Sequence, residues 1–169
     1  MWDVVESVRV LDSDGEFKDM ARADCTPTYR NGGLGDGWVV GAVLKFEPKP
    51  RLEIQKAMKE YLLTKNKVQP VTEWSAGCIF KNPPAGVSDG RSAGQLVEQS
   101  GAKELTCGDA AVSGRHGNFI VNKGKARAAD VFELMETVRK HVLDATGVEL
   151  EYEVKRWTNE PDEGESRSN

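Results

Sequence analysis

The sequence contains no long apolar run and few cysteines. These two absences argue against a membrane protein and against a disulfide-rich protein. Of its 169 residues, 38% are hydrophobic and 30% are charged, a balance typical of a soluble globular protein. No run approaches the roughly 20 apolar residues that a membrane-spanning helix needs, and the first residues carry neither the basic start nor the apolar stretch of a secretion signal. We therefore predict a cytoplasmic protein with no membrane partner.

The cysteines, histidines and net charge exclude further classes. The three cysteines, Cys25, Cys78 and Cys107, are too few and too far apart for a disulfide framework or a CxxC metal site. Two histidines do not make a metal site either. The net charge of −4 argues against a nucleic-acid partner, since a phosphate backbone is bound by a basic face. We predict reduced thiols, no metal and no nucleic acid, which leaves small anionic ligands open.

The first fifty residues predict a small β unit. Alternating apolar residues from Val4 to Val10 lead into an Asp-Gly turn and then to Phe17, which is the pattern of a β-hairpin. A glycine-rich loop at residues 31–37 then precedes an apolar strand at 38–46. Because the loop lacks the GxxxxGK[ST] order of a phosphate cradle, we interpret it as a connection.

The remaining residues predict helices and strands in irregular order. Such an order favours an α+β layer over a doubly wound sheet, and the polar composition from Thr158 onward predicts a disordered tail. The predicted elements are an amphipathic helix over 51–64, a turn leading into a short strand over 74–83, a short helix capped by Ser92 and ended by Gly101, strands near 109–113 and 118–122, a helix over 129–145 ended by Gly147, and a strand over 148–155.

Five short motifs follow one another in an order that resembles one enzyme family. They are Tyr29-Arg30, Ser-Ala-Gly-Cys-Ile-Phe-Lys-Asn-Pro at 75–83, Ser92–Glu98, the segment from Ala111 to Asn122, and Leu150–Val154. Together they resemble the C-terminal part of the UDP-N-acetylenolpyruvoylglucosamine reductases, also called UDP-N-acetylmuramate dehydrogenases, over about residues 3–156.

The resemblance implies a domain organisation. Residues 1–47 are expected to be the end of an FAD-binding domain (type 4, PCMH-like), and residues 52–157 to be the complete α+β substrate-binding domain. The larger region that holds the FAD pyrophosphate in the family has no counterpart here. We therefore expect a truncated or split reductase whose residues 1–47 have unpaired strands and exposed apolar faces, and which works with a separate FAD-binding chain.

The resemblance also implies a reaction and its residues. In that family FAD takes a hydride from NADPH and passes it to the enolpyruvyl group of UDP-N-acetylglucosamine enolpyruvate, after which the carbon next to the carboxylate is protonated. Cys78 stands where the family usually has the proton-donating serine, and an ordinary thiol, with a pKa of about 8.5, is mostly protonated at neutral pH. Arg30 and Glu153 match residues that stabilise the enol-like intermediate.

Further residues match positions that contact the substrate in the family. Asn82 and His116 fall at such positions. Lys65–Lys67 lie where the family often has basic residues, which suggests a role in holding the UDP diphosphate. Residue type alone gives plainer interpretations: Cys78 a small core residue, Glu153 part of a solvated strand face, and Arg30 a surface arginine. Two alternative functions stay open beside the reductase, a catalytically inactive UDP-sugar-binding module and a gene remnant.

Overall fold

The computed structural model describes residues 1–157 and divides the chain into two compact units, Met1–Lys56 and Ala57–Asn169. The predicted tail from Thr158 lies outside the described residues. Each unit has its own antiparallel sheet, and the content is mixed α/β as expected. The elements are β1 (Val5–Leu11), β2 (Phe17–Ala21), β3 (Trp38–Leu44), α1 (Arg51–Val68), β4 (Trp74–Cys78), α2 (Ala85–Ser88), α3 (Ala93–Gln99), β5 (Thr106–Cys107), β6 (Ala110–Val112), β7 (Phe119–Asn122) and α4 (Ala128–Thr146).

The first unit is a three-stranded sheet in the order β2-β1-β3, and its hairpin is confirmed. The carboxylate of Asp12 accepts hydrogen bonds from the backbone N–H groups of Asp14 and Glu16, which fixes the turn. Leu11 then pairs with Phe17 across it. The turn residues therefore set the register of the whole hairpin.

Most of the apolar surface of this sheet is exposed. Of its described residues, Val8, Val10 and Cys25 form the buried apolar set. Strand β3 is at a sheet edge and carries large exposed side chains, including Trp38 at 63% and Val43 at 52%. An exposed apolar edge strand of this kind is a ready surface for association.

The second unit has a four-stranded sheet in the order β4-β7-β6-β5, and α3 and α4 pack together over one common core. The predicted helix over 129–145 is confirmed and is one residue longer at each end. Its buried face includes Leu134, Met135, Val138 and Val142. Gly147 ends it in the left-handed conformation at φ 72°, where glycine has no Cβ penalty.

Helix α1 is longer than predicted and does not bury its apolar face. It starts after Pro50 as expected but continues to Val68, because no breaker occurs before Pro70. None of its residues is buried in the part of the chain that the structure describes. Within residues 1–157, no helix is both long and apolar enough to cross a membrane.

Two predicted strands are wrong in part. Over 74–83 the strand comes first, as β4, and a bulge interrupts its pairing with β7 between Ser75 and Cys78, with Gly77 at φ 92°. The segment 148–155 alternates in burial only over its first four residues, 148–151. It forms a single isolated bridge, Phe80 to Tyr152, because Pro83 and Pro84 prevent a longer partner strand. The pattern alone also did not predict β5 or α2.

The buried face of α4 predicts a large difference between two leucines of the same helix. Leu134 is 1% exposed and Leu143 is 40% exposed. We expect Leu134→Ala to lower the free energy of unfolding of the second unit by about 3 kcal/mol, because it leaves a cavity in the core. Leu143→Ala is the matched control and should cost less than about 1 kcal/mol. Equal losses in urea unfolding would contradict this placement of the core.

Candidate functional site

Cys78 and Glu153 lie on two chain segments that are hydrogen-bonded to each other. Cys78 is the last residue of β4, directly after the positive-φ Gly77. The carbonyl of the next residue, Ile79, accepts a 2.8 Å hydrogen bond from the backbone N–H of Glu153. A second bond runs from the N–H of Lys81 to the carbonyl of Glu151, also at 2.8 Å. The tertiary fold thus brings the thiol residue beside the carboxylate residue.

Asn118 is hydrogen-bonded to the segment that follows Cys78, at Ile79 and Phe80. Its side chain is buried, with 3% of the residue exposed. Its Oδ1 accepts from the N–H of Phe80 at 2.9 Å, and its Nδ2 donates to the carbonyl of Phe80 at 2.8 Å. Its own carbonyl accepts from the N–H of Ile79 at 2.9 Å. One carboxamide therefore satisfies both backbone groups of Phe80, as a neighbouring strand would.

Two aromatic rings pack where the segments meet. The rings of Phe80 and Tyr152 are stacked with centroids 5.5 Å apart, and the guanidinium of Arg139 lies 5.8 Å from the Tyr152 ring centroid. Burial, with help from the carboxylate of Glu136, raises the pKa of Tyr152 to about 12. Tyr152 therefore remains a neutral phenol at physiological pH and serves as packing immediately before Glu153.

His116 is held by Asn118 and by the first turn of α3. Its Nδ1 accepts a 3.1 Å hydrogen bond from the backbone N–H of Asn118, so the neutral ring carries its proton on Nε2. A Cβ on Gly94 would lie 2.9 Å from the ring's Cε1 atom, so this close packing depends on glycine. Burial lowers the pKa of His116, a change that the carboxylate of Glu98 opposes. The neutral ring can donate a hydrogen bond to a ligand oxygen.

Asn82 also lies at the first turn of α3. Its Oδ1 accepts a 3.0 Å hydrogen bond from the N–H of Ala93, the residue before Gly94. Asn82 and His116, both predicted to contact substrate, are therefore brought to one helix terminus. The same terminus carries a capping box between Ser92 and Gln95, confirming the predicted cap.

The predicted basic stretch borders the same region. A cavity of about 320 Å³ is lined by residues that include Lys67, Gly94, Glu98, Arg115 and His116. Arg115 donates from Nη1 to the carbonyl of Asn66 at 2.8 Å, at the C-terminal end of α1, where a cation complements the helix dipole. Lys67 and Arg115 together make this cavity basic.

Arg30 lies in the first unit, at the tip of a tight turn. Thr28 and Asn31 pair with each other across it, and Arg30 has a φ of 61°. Its guanidinium lies 5.2 Å from the centroid of the Tyr29 ring. A non-glycine residue in the left-handed region is uncommon and costs about 1–2 kcal/mol. Strain of this kind is often found at functional positions.

Two glycines of the glycine-rich loop in the first unit pack closely against their own chain. A Cβ on Gly33 would lie 2.4 Å from the carbonyl oxygen of Thr26, and one on Gly37 would lie 2.3 Å from Val10. These glycines are therefore required by packing against their own chain. Close packing at Gly33 and Gly37 leaves no room for a pyrophosphate against those two glycines, whereas nothing lies within 4 Å of a Cβ on Gly35.

A protein-family model decides the assignment. The model described as "UDP-N-acetylenolpyruvoylglucosamine reductase, C-terminal domain" matches residues 69–157. This chain belongs to the UDP-N-acetylenolpyruvoylglucosamine reductase family. The match includes Cys78, Asn82, His116 and Glu153, and it contains all four strands of the second unit's sheet.

Individual reductases agree with the family model. The chain is 39% identical to reductase 2 of Symbiobacterium thermophilum over 163 residues, covering 95% of this chain and 51% of that protein. It is 40% identical to the Moorella thermoacetica reductase, covering 92% of this chain and 50% of the relative. The crystal structure of the Thermus caldophilus reductase (MurB) superposes with a TM-score of 0.75 at 39% identity, over 93% of this chain and 54% of that one. The chain thus spans about half the length of the curated relatives it matches.

Sequence reasoning named the candidate side chains but missed the residues that hold them. Asn118, Tyr152 and Gly94 all lie within the family motifs, but the sequence assigned no role to any of them. A polar residue directly before the apolar strand β7 was the available indication for Asn118, since buried amides normally have hydrogen-bond partners. Its partner, Phe80, is 38 residues away in the chain, so the pattern could not identify it.

The lowered pKa of His116 predicts a pH-dependent stability. Between that lowered pKa and the ordinary value of about 6.5, the unfolded chain binds more protons than the folded one, so stability falls as pH falls through this window. We expect His116→Asn, which keeps an acceptor for Asn118, to lose less stability than wild type between about pH 7.5 and about pH 5.5 in urea unfolding. His141→Asn, at the chain's other histidine, is the control and should retain the wild-type loss. An unchanged loss in His116→Asn would contradict the assignment.

Proposed function

We propose that this chain is the substrate-side part of a UDP-N-acetylmuramate dehydrogenase. The reaction is the reduction of UDP-N-acetylglucosamine enolpyruvate with NADPH through FAD, a step in peptidoglycan precursor synthesis. The observation that carries the proposal is the hydrogen bond from the backbone N–H of Glu153 to the carbonyl of Ile79. Because Ile79 directly follows Cys78, this bond brings a carboxylate residue close to the thiol residue in a chain that belongs to the reductase family.

Cys78 is proposed as the proton donor. After hydride addition to the enolpyruvyl double bond, the carbon next to the carboxylate takes the thiol proton, and the resulting thiolate regains a proton from solvent. Arg30 and Glu153 are proposed to stabilise the enol-like intermediate through charge and hydrogen bonding. The strained backbone of Arg30 supports a functional role for that residue.

The substrate-holding residues are proposed to be Asn82 and His116. Both meet the first turn of α3, and the neutral His116 ring can donate from Nε2. Lys67 lines the adjacent basic cavity and is proposed to attract the UDP diphosphate. These residues would orient the nucleotide sugar while Cys78 acts on the enolpyruvyl group.

The flavin is proposed to be held by a separate FAD-binding portion, with residues 1–47 forming the end of that domain and residues 52–157 the substrate domain. The exposed apolar strand β3 supports this division, because further strands could pair with its free edge and structure packed on the faces of the sheet would cover Trp38 and Val43. When bound, FAD supplies the hydride.

Reconstitution tests the proposal. The chain is mixed with the flavin-binding half of the Moorella relative, FAD, NADPH and the enolpyruvyl substrate, and NADPH absorbance is followed. We expect turnover that requires both halves. Cys78→Ala should lower kcat by about 10²-fold or more because the general acid is lost, whereas Cys78→Ser should retain activity.

The matched control is Cys107→Ala, a half-buried cysteine of the same unit whose burial raises its pKa. It should keep wild-type turnover. Full activity in Cys78→Ala would exclude Cys78 as the donor. Absence of turnover in a complex that binds FAD and the UDP-sugar would favour a binding module, and absence of any UDP-sugar binding would favour a remnant.

Arg30 permits a test that separates function from stability. Arg30→Gly removes the penalty of a left-handed backbone, so we expect stability that is unchanged or up to about 1 kcal/mol higher. Turnover of the reconstituted enzyme should nevertheless fall about 10²-fold, because a preorganised charge is lost. Arg30→Lys keeps the charge and should retain more turnover. Equal turnover in Arg30→Gly and wild type would remove Arg30 from the proposed mechanism.

A further inference from the structure

Asn118 occupies a position between the two pairs of candidate residues. Its side chain binds both backbone groups of Phe80, two residues after Cys78. Its N–H binds the Nδ1 of His116, at the first turn of α3. Its carbonyl binds the N–H of Ile79, and the carbonyl of Ile79 in turn accepts from Glu153. A single buried residue is thus hydrogen-bonded to His116 and to the two residues that follow Cys78, and one of these, Ile79, also accepts from Glu153.

We propose that Asn118 is a positioning residue that fixes Cys78 relative to Glu153 and His116. In this role it acts through its hydrogen bonds to the backbone of Ile79 and Phe80. This inference rests on the proposed function for its catalytic consequence, while its structural part concerns this chain alone.

The chemistry of the carboxamide explains why asparagine suits this position. Phe80 presents one N–H donor and one carbonyl acceptor, and the amide of Asn118 supplies one acceptor and one donor in matching order. An alanine would leave both groups of Phe80 buried without these bonds, which is costly. An aspartate would accept from the N–H but, when ionised, would place negative charge against the carbonyl.

The chain contains a matched control in Asn122, at the other end of β7. Its Oδ1 also accepts two backbone hydrogen bonds, from the N–H groups of Gly124 at 2.9 Å and Ala126 at 3.1 Å. These bonds hold the loop that precedes α4, away from the Cys78 segment. Asn122→Ala therefore also removes two side-chain hydrogen bonds to the backbone, at a more exposed position, without touching Ile79 or Phe80.

The first experiment uses the full chain by itself and measures the local order around Cys78. Alkylation of Cys78 by iodoacetamide is followed by mass spectrometry with Cys107 as internal reference, together with hydrogen exchange of the Ile79–Lys81 amides. We expect Asn118→Ala to raise the alkylation rate of Cys78 relative to Cys107 by about tenfold, because two buried hydrogen bonds are lost and the segment opens. Exchange at Ile79–Lys81 should rise in parallel, and Asn122→Ala should change neither.

The second experiment uses the reconstituted enzyme. Asn118→Ala should lower kcat about tenfold and leave the KM for the enolpyruvyl substrate within about twofold, since substrate contacts remain while the donor is misplaced. Asn118→Asp adds a pH test: burial favours its protonated form, which can both donate and accept. The ratio of its kcat to that of wild type should therefore recover at low pH and fall as pH rises through the pKa of the new carboxyl.

Each outcome decides something separate. A folded Asn118→Ala chain with unchanged Cys78 alkylation and unchanged exchange overturns the proposal, as does a kcat equal to that of Asn122→Ala. If Asn118→Ala fails to fold, the pH-dependent ratio in Asn118→Asp decides: recovery at low pH supports positioning, and a flat ratio overturns it. If wild type shows no turnover after reconstitution, the proposed function fails, whereas the alkylation and exchange results still decide whether Asn118 fixes the segment.

Discussion

The short backbone segment Ile79–Lys81 is the constraint on which the candidate site depends. It is hydrogen-bonded on one side to Asn118 and on the other to Glu151 and Glu153. Because the polar groups of a buried backbone must be satisfied, this segment has little freedom to move. Cys78, at the end of β4, directly precedes this segment, and Asn82 directly follows it and contacts the first turn of α3. Glu153 is hydrogen-bonded to the segment. Positions separated by up to 75 residues in the sequence are therefore set by one local arrangement.

The packing around this segment adds rigidity and controls protonation. The rings of Phe80 and Tyr152 stack where the two hydrogen-bonded segments meet. Gly94 allows His116 to approach α3 closely. Burial lowers the pKa of His116 and raises that of Tyr152, so both remain neutral near physiological pH. The surroundings of the site thus favour uncharged hydrogen-bonding groups, while Lys67 and Arg115 supply positive charge at its border.

The two units differ in how much of their apolar surface they bury. The second unit has a continuous core under α3 and α4, whereas the first buries few apolar side chains and exposes those of β3. Burial of apolar surface is the main favourable contribution to folding. The first unit therefore gains less stability from apolar burial than the second unit does.

The sequence by itself determined the local structure and the identity of the candidate side chains. The Asp-Gly turn, the Ser92 cap and the period of α4 depend on neighbouring residues, so the hairpin and both helices were predictable. The motifs likewise indicated the family. Their positions singled out Cys78 and Glu153 as candidate residues. The tertiary structure decided what depends on contacts between distant residues: the bulge at β4, the single bridge that replaces a strand at 148–155, and the role of Asn118. The reason is that periodicity shows which residues are buried, but only the folded chain shows which hydrogen-bond partners they meet.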